Sequence, residues 1–181
     1  MHRNPLLNLL NAYNPATAEE KVYKKQIIQF ITDNPSCFER SLTTGHIAAS
    51  ALLLNNDHSK ILLMHHAKLD LWVQPGGHCD GNNNPLEVAI KEVQEETGLT
   101  TVIPVSTDIF DIDIHLIPAR KHEPAHYHYD IRFLLYTPHE DQIVKNHESK
   151  ELKWFGKNKE LLPTKKSSVL RMVDKWLNSA L

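Results

Sequence analysis

Glu92, Glu95 and Glu96 stand at i, i+3 and i+4 in a segment, Pro85 to Thr97, that carries Pro at its start and is followed by Gly98. Those signals predict a helix. With Leu86 placed at zero on a wheel of about 100 degrees per residue, Ala89, Ile90, Val93 and Thr97 fall within about 60 degrees of it, as a core face. Glu95, Glu92 and Glu96 fall at roughly 180, 240 and 280 degrees, on one side and away from that face. Like charges on neighbouring turns weaken a helix unless a cation sits among them, and clustered oxygens bind hard dications such as Mg2+. The same spacing also describes a plain solvated acidic face, so the flanking residues must decide.

Those flanks are Trp72-Val73-Gln74-Pro75-Gly76-Gly77 on one side and Lys91-Glu92-Val93-Gln94-Glu95-Glu96-Thr97-Gly98-Leu99 on the other. From Gly77 to Leu99 they resemble the signature of the Nudix hydrolase family, G-x5-E-x7-R-E-U-x-E-E-x-G-U with U aliphatic. The resemblance implies an α+β fold, an α/β/α sandwich with a mixed sheet, whose loop-helix-loop holds Mg2+ or Mn2+ against a pyrophosphate. It implies hydrolysis of a nucleoside diphosphate linked to another moiety, with metal neutralising the pyrophosphate and helping to activate water. By position, Glu95 and Glu96 match the principal metal-ligand pair, Glu92 matches a ligand or base, and Gly77 belongs to the metal set. The expected partner is a small nucleotide-type molecule.

Two positions depart from the pattern. Asn83 stands where the family has its first Glu, and Lys91 where it has Arg. Asn supplies a carbonyl oxygen but no negative charge, and Lys lacks the planar fork of Arg. Lys91 has Glu87 four residues earlier as a partner. A rival reading is therefore a Nudix-fold nucleotide-binding or regulatory module with weakened catalysis. A third arises from His78 and Cys79, which prompt comparison with isopentenyl-diphosphate isomerase, a relative of the fold that uses metal-binding His and a catalytic Cys. Cys79 equally fits a small packing residue.

A second group of polar side chains alternates along two expected strands. Over Ile109 to Ile117, Asp111, Asp113 and His115 share a face, and over Ala125 to Tyr136 so do His126, His128, Asp130 and Arg132. The loop from Pro118 to Pro124 suits an antiparallel hairpin with both polar sets on one side. Three readings stay open: a solvated sheet face, a substrate wall with Arg132 and the histidines as phosphate partners, or a second metal site. Trp72 either lines the pocket mouth or flanks a strand end. Glu148 and Glu151 offer a base from a late loop or lie on the surface.

The elements that must position these groups are well marked. Residues 5–40 read as helical, with a capping box at Thr17-Ala18-Glu19-Glu20, a buried stripe of Val22, Ile27, Ile28, Phe30 and Ile31, and a stop at Asn34-Pro35. Residues 1–40 thus form an N-terminal helical extension to a domain over 41–181. Their apolar stripe needs a partner, either that domain or a second copy of the chain, so a homodimer is one expectation. Strands are expected at His46 to Leu54 and Ile61 to His66, then at Val102 to Val105, along the hairpin and at Leu152 to Phe155. Pro75-Gly76-Gly77 opens a polar loop, and Ser167 to Ser179 closes the chain as a helix.

The chain has 181 residues, 20 Lys and Arg against 22 Asp and Glu, and a formal charge of −2, so no global basic field draws it to a nucleic acid polymer. Twelve histidines add up to twelve positive charges as pH falls through their ordinary pKa of about 6.5. Two cysteines, Cys37 and Cys79, are not a disulfide framework. No run is long enough to span a bilayer, and a cytoplasmic protein without a membrane partner is expected.

Overall fold

The apolar run that begins at Gly45 becomes the central strand, β1 (Gly45–Leu54), buried along its whole length. The computed structural model describes residues 2–119 and 124–181. A strand covered on both faces is written as a continuous apolar run rather than an alternation. Ile47, Ala49, Ala51 and Leu53 enter one core cluster, while Leu52 and Leu54 enter another on the opposite face.

Before β1 come α1 (Asn4–Ala12) and α2 (Ala18–Asp33). After it follow β2 (Lys60–His66), β3 (Leu71–Val73), β4 (Gly76–His78) and α3 (Pro85–Thr97). The chain continues through β5 (Ile103–Pro104), β6 (Asp111–Ile117), β7 (His126–Tyr136), β8 (Ser149–Gly156) and α4 (Ser167–Leu177). The eight strands form one mixed sheet. β1 runs parallel to β7, from Gly45 opposite Tyr127 to Leu54 opposite Tyr136, and antiparallel to β2 and β4. Helices α1, α2 and α3 pack on one face and α4 on the other, which is the expected α/β/α sandwich.

The expected hairpin forms as β6 and β7, with Asp111 opposite Arg132 and His115 opposite His128. Positions 120–123 of its connection lie outside the described residues. Strand β4 departs from expectation, since Gly76-Gly77-His78 falls in the expected polar loop. It carries no apolar alternation, and its backbone pairs with Ala48, Ala49 and Ser50 of β1.

The capping box of α2 is present: Glu20 N–H donates to Thr17 Oγ1 at 3.1 Å and Thr17 N–H to Glu20 Oε2 at 2.9 Å. The helix ends at Asp33, and Asn34 before Pro35 has left helical geometry. Ile27, Phe30 and Ile31 are buried as expected, but Val22 is 52% exposed. The buried stripe is drawn toward the sheet by its C-terminal half, leaving Val22 near the start outside.

Leu6 and Leu10 of α1 join Ile27 and Ile31 in the cluster that also holds Val88 and Val93 of α3. The apolar stripe therefore finds its partner within the chain. Leu10→Ala should lose about 2–3 kcal/mol, because a cavity would open in a core shared with α3. Urea unfolding checks this, and an unchanged midpoint would show that α1 packs too loosely to matter. Among the described residues, no helix is long and apolar enough to cross a membrane.

Candidate functional site

Helix α3 starts with Pro85 in its first turn and ends on Gly98, whose φ of 72° is the left-handed conformation that glycine adopts without strain. Its buried residues are Pro85, Val88, Ala89, Val93, Glu96 and Thr97. The core face is thus rotated from the expected one: Leu86 and Ile90 are half-buried, and Glu96 lies inside at 3% exposure. The expectation that all three glutamates turn away from the core fails at Glu96.

The cause is the pair of glycines on β4. A Cβ on Gly76 would fall 2.2 Å from the Ser50 Cβ, and one on Gly77 would fall 2.6 Å from the Glu92 carboxylate. Only bare backbone lets β4 come this close to β1 at Gly76 and to α3 at Gly77. Gly76 N–H donates to Glu96 Oε2 at 2.9 Å, and the Glu92 carboxylate rests on Gly77.

Burial raises the pKa of Glu96 to about 8 against the Gly76 hydrogen bond, and Glu92, Glu148 and Glu95 push the same way. Glu92 is also raised, by burial first and then by Glu95, Glu148 and Asp80, with Lys91 opposing. Glu148 precedes β8, and its backbone carbonyl accepts from Ala67 N–H while Asn146 Nδ2 holds the Glu95 carbonyl. The structure thus places Glu148 in the electrostatic field of the α3 glutamates. Glu151 is exposed on β8 opposite His65.

Glu95 is exposed and pairs with Lys91 at 3.3 Å, four residues back, so the expected Lys91–Glu87 pair is replaced by one in the other direction. Asn83 is exposed in the loop before α3. A buried carboxylate with a single backbone donor, electrostatically coupled to Glu92, Glu148 and Glu95, offers hard oxygen ligands, with Lys91 the cation on its exposed side. That donor chemistry fits Mg2+ or Mn2+.

The polar face of the β6–β7 hairpin is not solvated. Asp111, Asp113, Asp130, Arg132 and His126 are all buried, which overturns the reading of an exposed sheet face. Arg132, 2% exposed, directs Nε to Asp130 at 2.7 Å, Nη1 to Asp111 and to the Ser168 carbonyl at 3.2 and 3.1 Å, and Nη2 to Asp113 at 3.2 Å. Contact with a substrate phosphate would first require breaking these pairs.

Two residues of α4 complete the network. Arg171 reaches Asp111, Asp113, the Ile112 carbonyl and Glu19, and Lys175 reaches Asp111, Tyr13, the Phe110 carbonyl and Glu20. Burial works against the charge on Asp113, yet His115, Arg132 and Arg171 hold its carboxyl well below the usual range. Sequence reasoning missed Arg171 and Lys175, although their i, i+4 spacing on an amphipathic helix was available. Asp130 also accepts from Ser50 Oγ, which accepts from Gln74 Nε2 at 3.2 Å, tying the network to the segment before β4.

Trp72, on β3, stacks on His65 at 5.2 Å and meets Phe155 edge-on. It borders a hollow of 270 Å³ with Lys165 and Lys166. A larger hollow of 620 Å³ lies between the start of α2 and α4, but its Arg171 and Lys175 are engaged in the network and no α3 glutamate lines it. Cys79 is buried, and burial drives its thiol far above the ordinary value, which removes the basis of the isomerase reading. His126 and His128 gather with His78, which the sequence marked only through its neighbour Cys79, and with His46, which stands singly in sequence and gave no signal there.

A family model described as the NUDIX domain matches residues 44–177. A Lactococcus lactis protein named "Probable DHNTP pyrophosphohydrolase" is 33% identical over 122 residues, covering 66% of this chain and 71% of that protein. Among solved structures, a MutT protein from Methanosarcina mazei superposes with a TM-score of 0.58 at 21% identity, over 75% of this chain and 94% of that one. The E. coli dihydroneopterin triphosphate pyrophosphohydrolase gives 0.56 at 19% identity, over 72% and 94%. At these identities the two superpositions show the fold alone.

Proposed function

We propose that this chain, which belongs to the NUDIX family, is a diphosphohydrolase that cleaves a phosphoric anhydride bond in a nucleoside diphosphate linked to another moiety. The observation that supports this reading is the burial of Glu96 against Gly76, electrostatically coupled to Glu92 and Glu148, in a site rich in carboxylate oxygen. Glu92, Glu95, Glu96 and the Gly77 backbone would hold Mg2+ or Mn2+. When bound, the metal supplies charge neutralisation of the pyrophosphate and a lowered pKa for attacking water.

The chain's own groups divide the remaining work. Gly76 N–H fixes one oxygen of Glu96, and the bare backbone of β4 leaves room for Glu92. Glu148, on a loop held to α3 through Asn146, is the carboxylate placed to accept a proton from water. Trp72 lies within four residues of Gly76, at most about 14 Å of chain, so its hollow with Lys165 and Lys166 suits the nucleotide portion. Both cysteines are free and buried, in keeping with a reducing cytoplasm.

The test is a Mg2+ and Mn2+ screen over dihydroneopterin triphosphate, nucleoside triphosphates, dinucleoside polyphosphates, ADP-ribose, nucleotide sugars and NADH. Release of phosphate or nucleotide that EDTA abolishes is expected. Binding of a nucleotide without turnover of any of them would favour the module reading, to which Asn83 contributes by withholding a carboxylate.

Glu148→Gln should lower kcat by about 10²–10³-fold, the usual loss for a general base, with the Mg2+ midpoint changed little. A raised Mg2+ midpoint with unchanged kcat at saturating metal would make Glu148 a ligand instead.

A further inference from the structure

We propose that His46, His78, His126 and His128 form a zinc site on the sheet face opposite the α3 glutamates, a structural centre that clamps β1, β4 and β7 together. One ring nitrogen from each lies within 4.8 Å of the others. The ring centroids of His46 stand 4.9 Å from those of His78, His126 and His128. Register explains the convergence, since His46 lies opposite His128 across the parallel β1–β7 ladder and His78 lies opposite Ala48 on β4. Tetrahedral Zn–N bonds of about 2.0–2.1 Å place ligand nitrogens about 3.3–3.4 Å apart, so rotations that move each ring by on the order of 1 Å close the site.

Independent observations point to an absent partner for these rings. Both nitrogens of His46 and Nε2 of His128 are buried and, among the described residues, without a hydrogen bond, a cost that structures seldom carry unrelieved. His126 is set for ligation: Nδ1 lies 2.9 Å from the Pro124 carbonyl, which only accepts, so the proton sits on Nδ1 and Nε2 keeps its lone pair.

An all-imidazole set discriminates against Mg2+ and favours zinc and other late first-row dications. Four protein ligands make a closed site, which is structural rather than catalytic. Asp80 is paired with Arg40 and is also electrostatically coupled to His78 and His46. On β4, Gly77 turns its absent side chain toward Glu92 while His78 points to the other face, so an ion on the histidines would fix the backbone that meets Glu92 and Glu96. The proposal does not rest on the hydrolase reading.

The test is zinc titration of the full chain after stripping with a chelator, read by metal analysis, thermal melting and X-ray absorption. One zinc per chain is expected, with a rise in Tm of about 5–10 °C at 100 times Kd and a shell of four imidazole nitrogens. His46→Asn and His128→Gln should each weaken zinc binding by about 100-fold or more, while Glu96→Gln and His115→Gln should leave the stoichiometry unchanged. Failure to take up zinc, an oxygen-rich shell, or zinc lost in Glu96→Gln but kept in the histidine variants would overturn the proposal. If a histidine variant does not fold, the wild-type absorption spectrum alone decides.

Discussion

Glu96→Gln is expected to cut metal-dependent turnover by about 10²–10⁴-fold, as loss of a charged group facing the reacting phosphate does, and at the same time to raise the melting temperature of the metal-free protein. The two effects share one cause. Glu96 sits at 3% exposure with a single backbone donor, and burial lifts its pKa from 4.5 to about 8. Between those values the folded protein holds a proton that the unfolded chain has released, so wild-type stability falls as pH rises through that window. Gln accepts the Gly76 N–H through its amide oxygen and carries no charge to desolvate. The gain is of order a few kcal/mol above pH 8 and vanishes below about pH 4.5; at neutral pH it amounts to roughly 7–14 °C. Melting curves of both proteins from pH 5 to 9, with and without Mg2+, check this. Mg2+ should stabilise the wild type more than the variant. Wild-type turnover, or a Tm difference independent of pH, would remove Glu96 from the metal site.

The bounds of α3 were legible because Pro85, Gly98 and the apolar period are local signals. Which carboxylate lay inside was not legible. Wheel geometry puts Glu96 beside the core edge, and its burial depends on Gly76 and Gly77 belonging to a strand rather than a loop. That strand has no hydrophobic pattern because β1 holds it through backbone alone. The β6–β7 register could likewise be read from alternation, whereas the cover over its polar face could not. Arg171 and Lys175 lie on a helix far downstream, and an alternating strand reads the same under solvent as under a buried ion network. His46 and His78 illustrate the same limit: each is one histidine among apolar or glycine neighbours until pairing sets them together, His46 against β7 through the parallel β1–β7 ladder and His78 against β1 through the antiparallel β1–β4 ladder.

Arg132→Met should destabilise the protein by about 3–5 kcal/mol, since removing one partner of a buried ion network strands the charges that remain. Asp111, Asp113 and Asp130 would lose a shared guanidinium in a region that water does not reach. Arg171 and Lys175 retain Asp111, and Arg171 retains Asp113, but among the described ion pairs Asp130 has no other base. Arg132→Lys keeps the charge but not the fork, so it should lose a smaller part of the same stability. In the wild type, Asp113 is held below its ordinary range, and the stability it contributes is present above pH 4 and lost as pH falls through its lowered pKa. Without Arg132 that contribution shrinks, so the deficit of Arg132→Met measured by urea unfolding should hold its full size from pH 7 down to about pH 4 and narrow only below it. The opposite pattern, a raised KM with unaltered unfolding midpoint in both variants, is what a phosphate-binding arginine would give. It would require Arg132 to leave Asp111, Asp113 and Asp130 when substrate arrives.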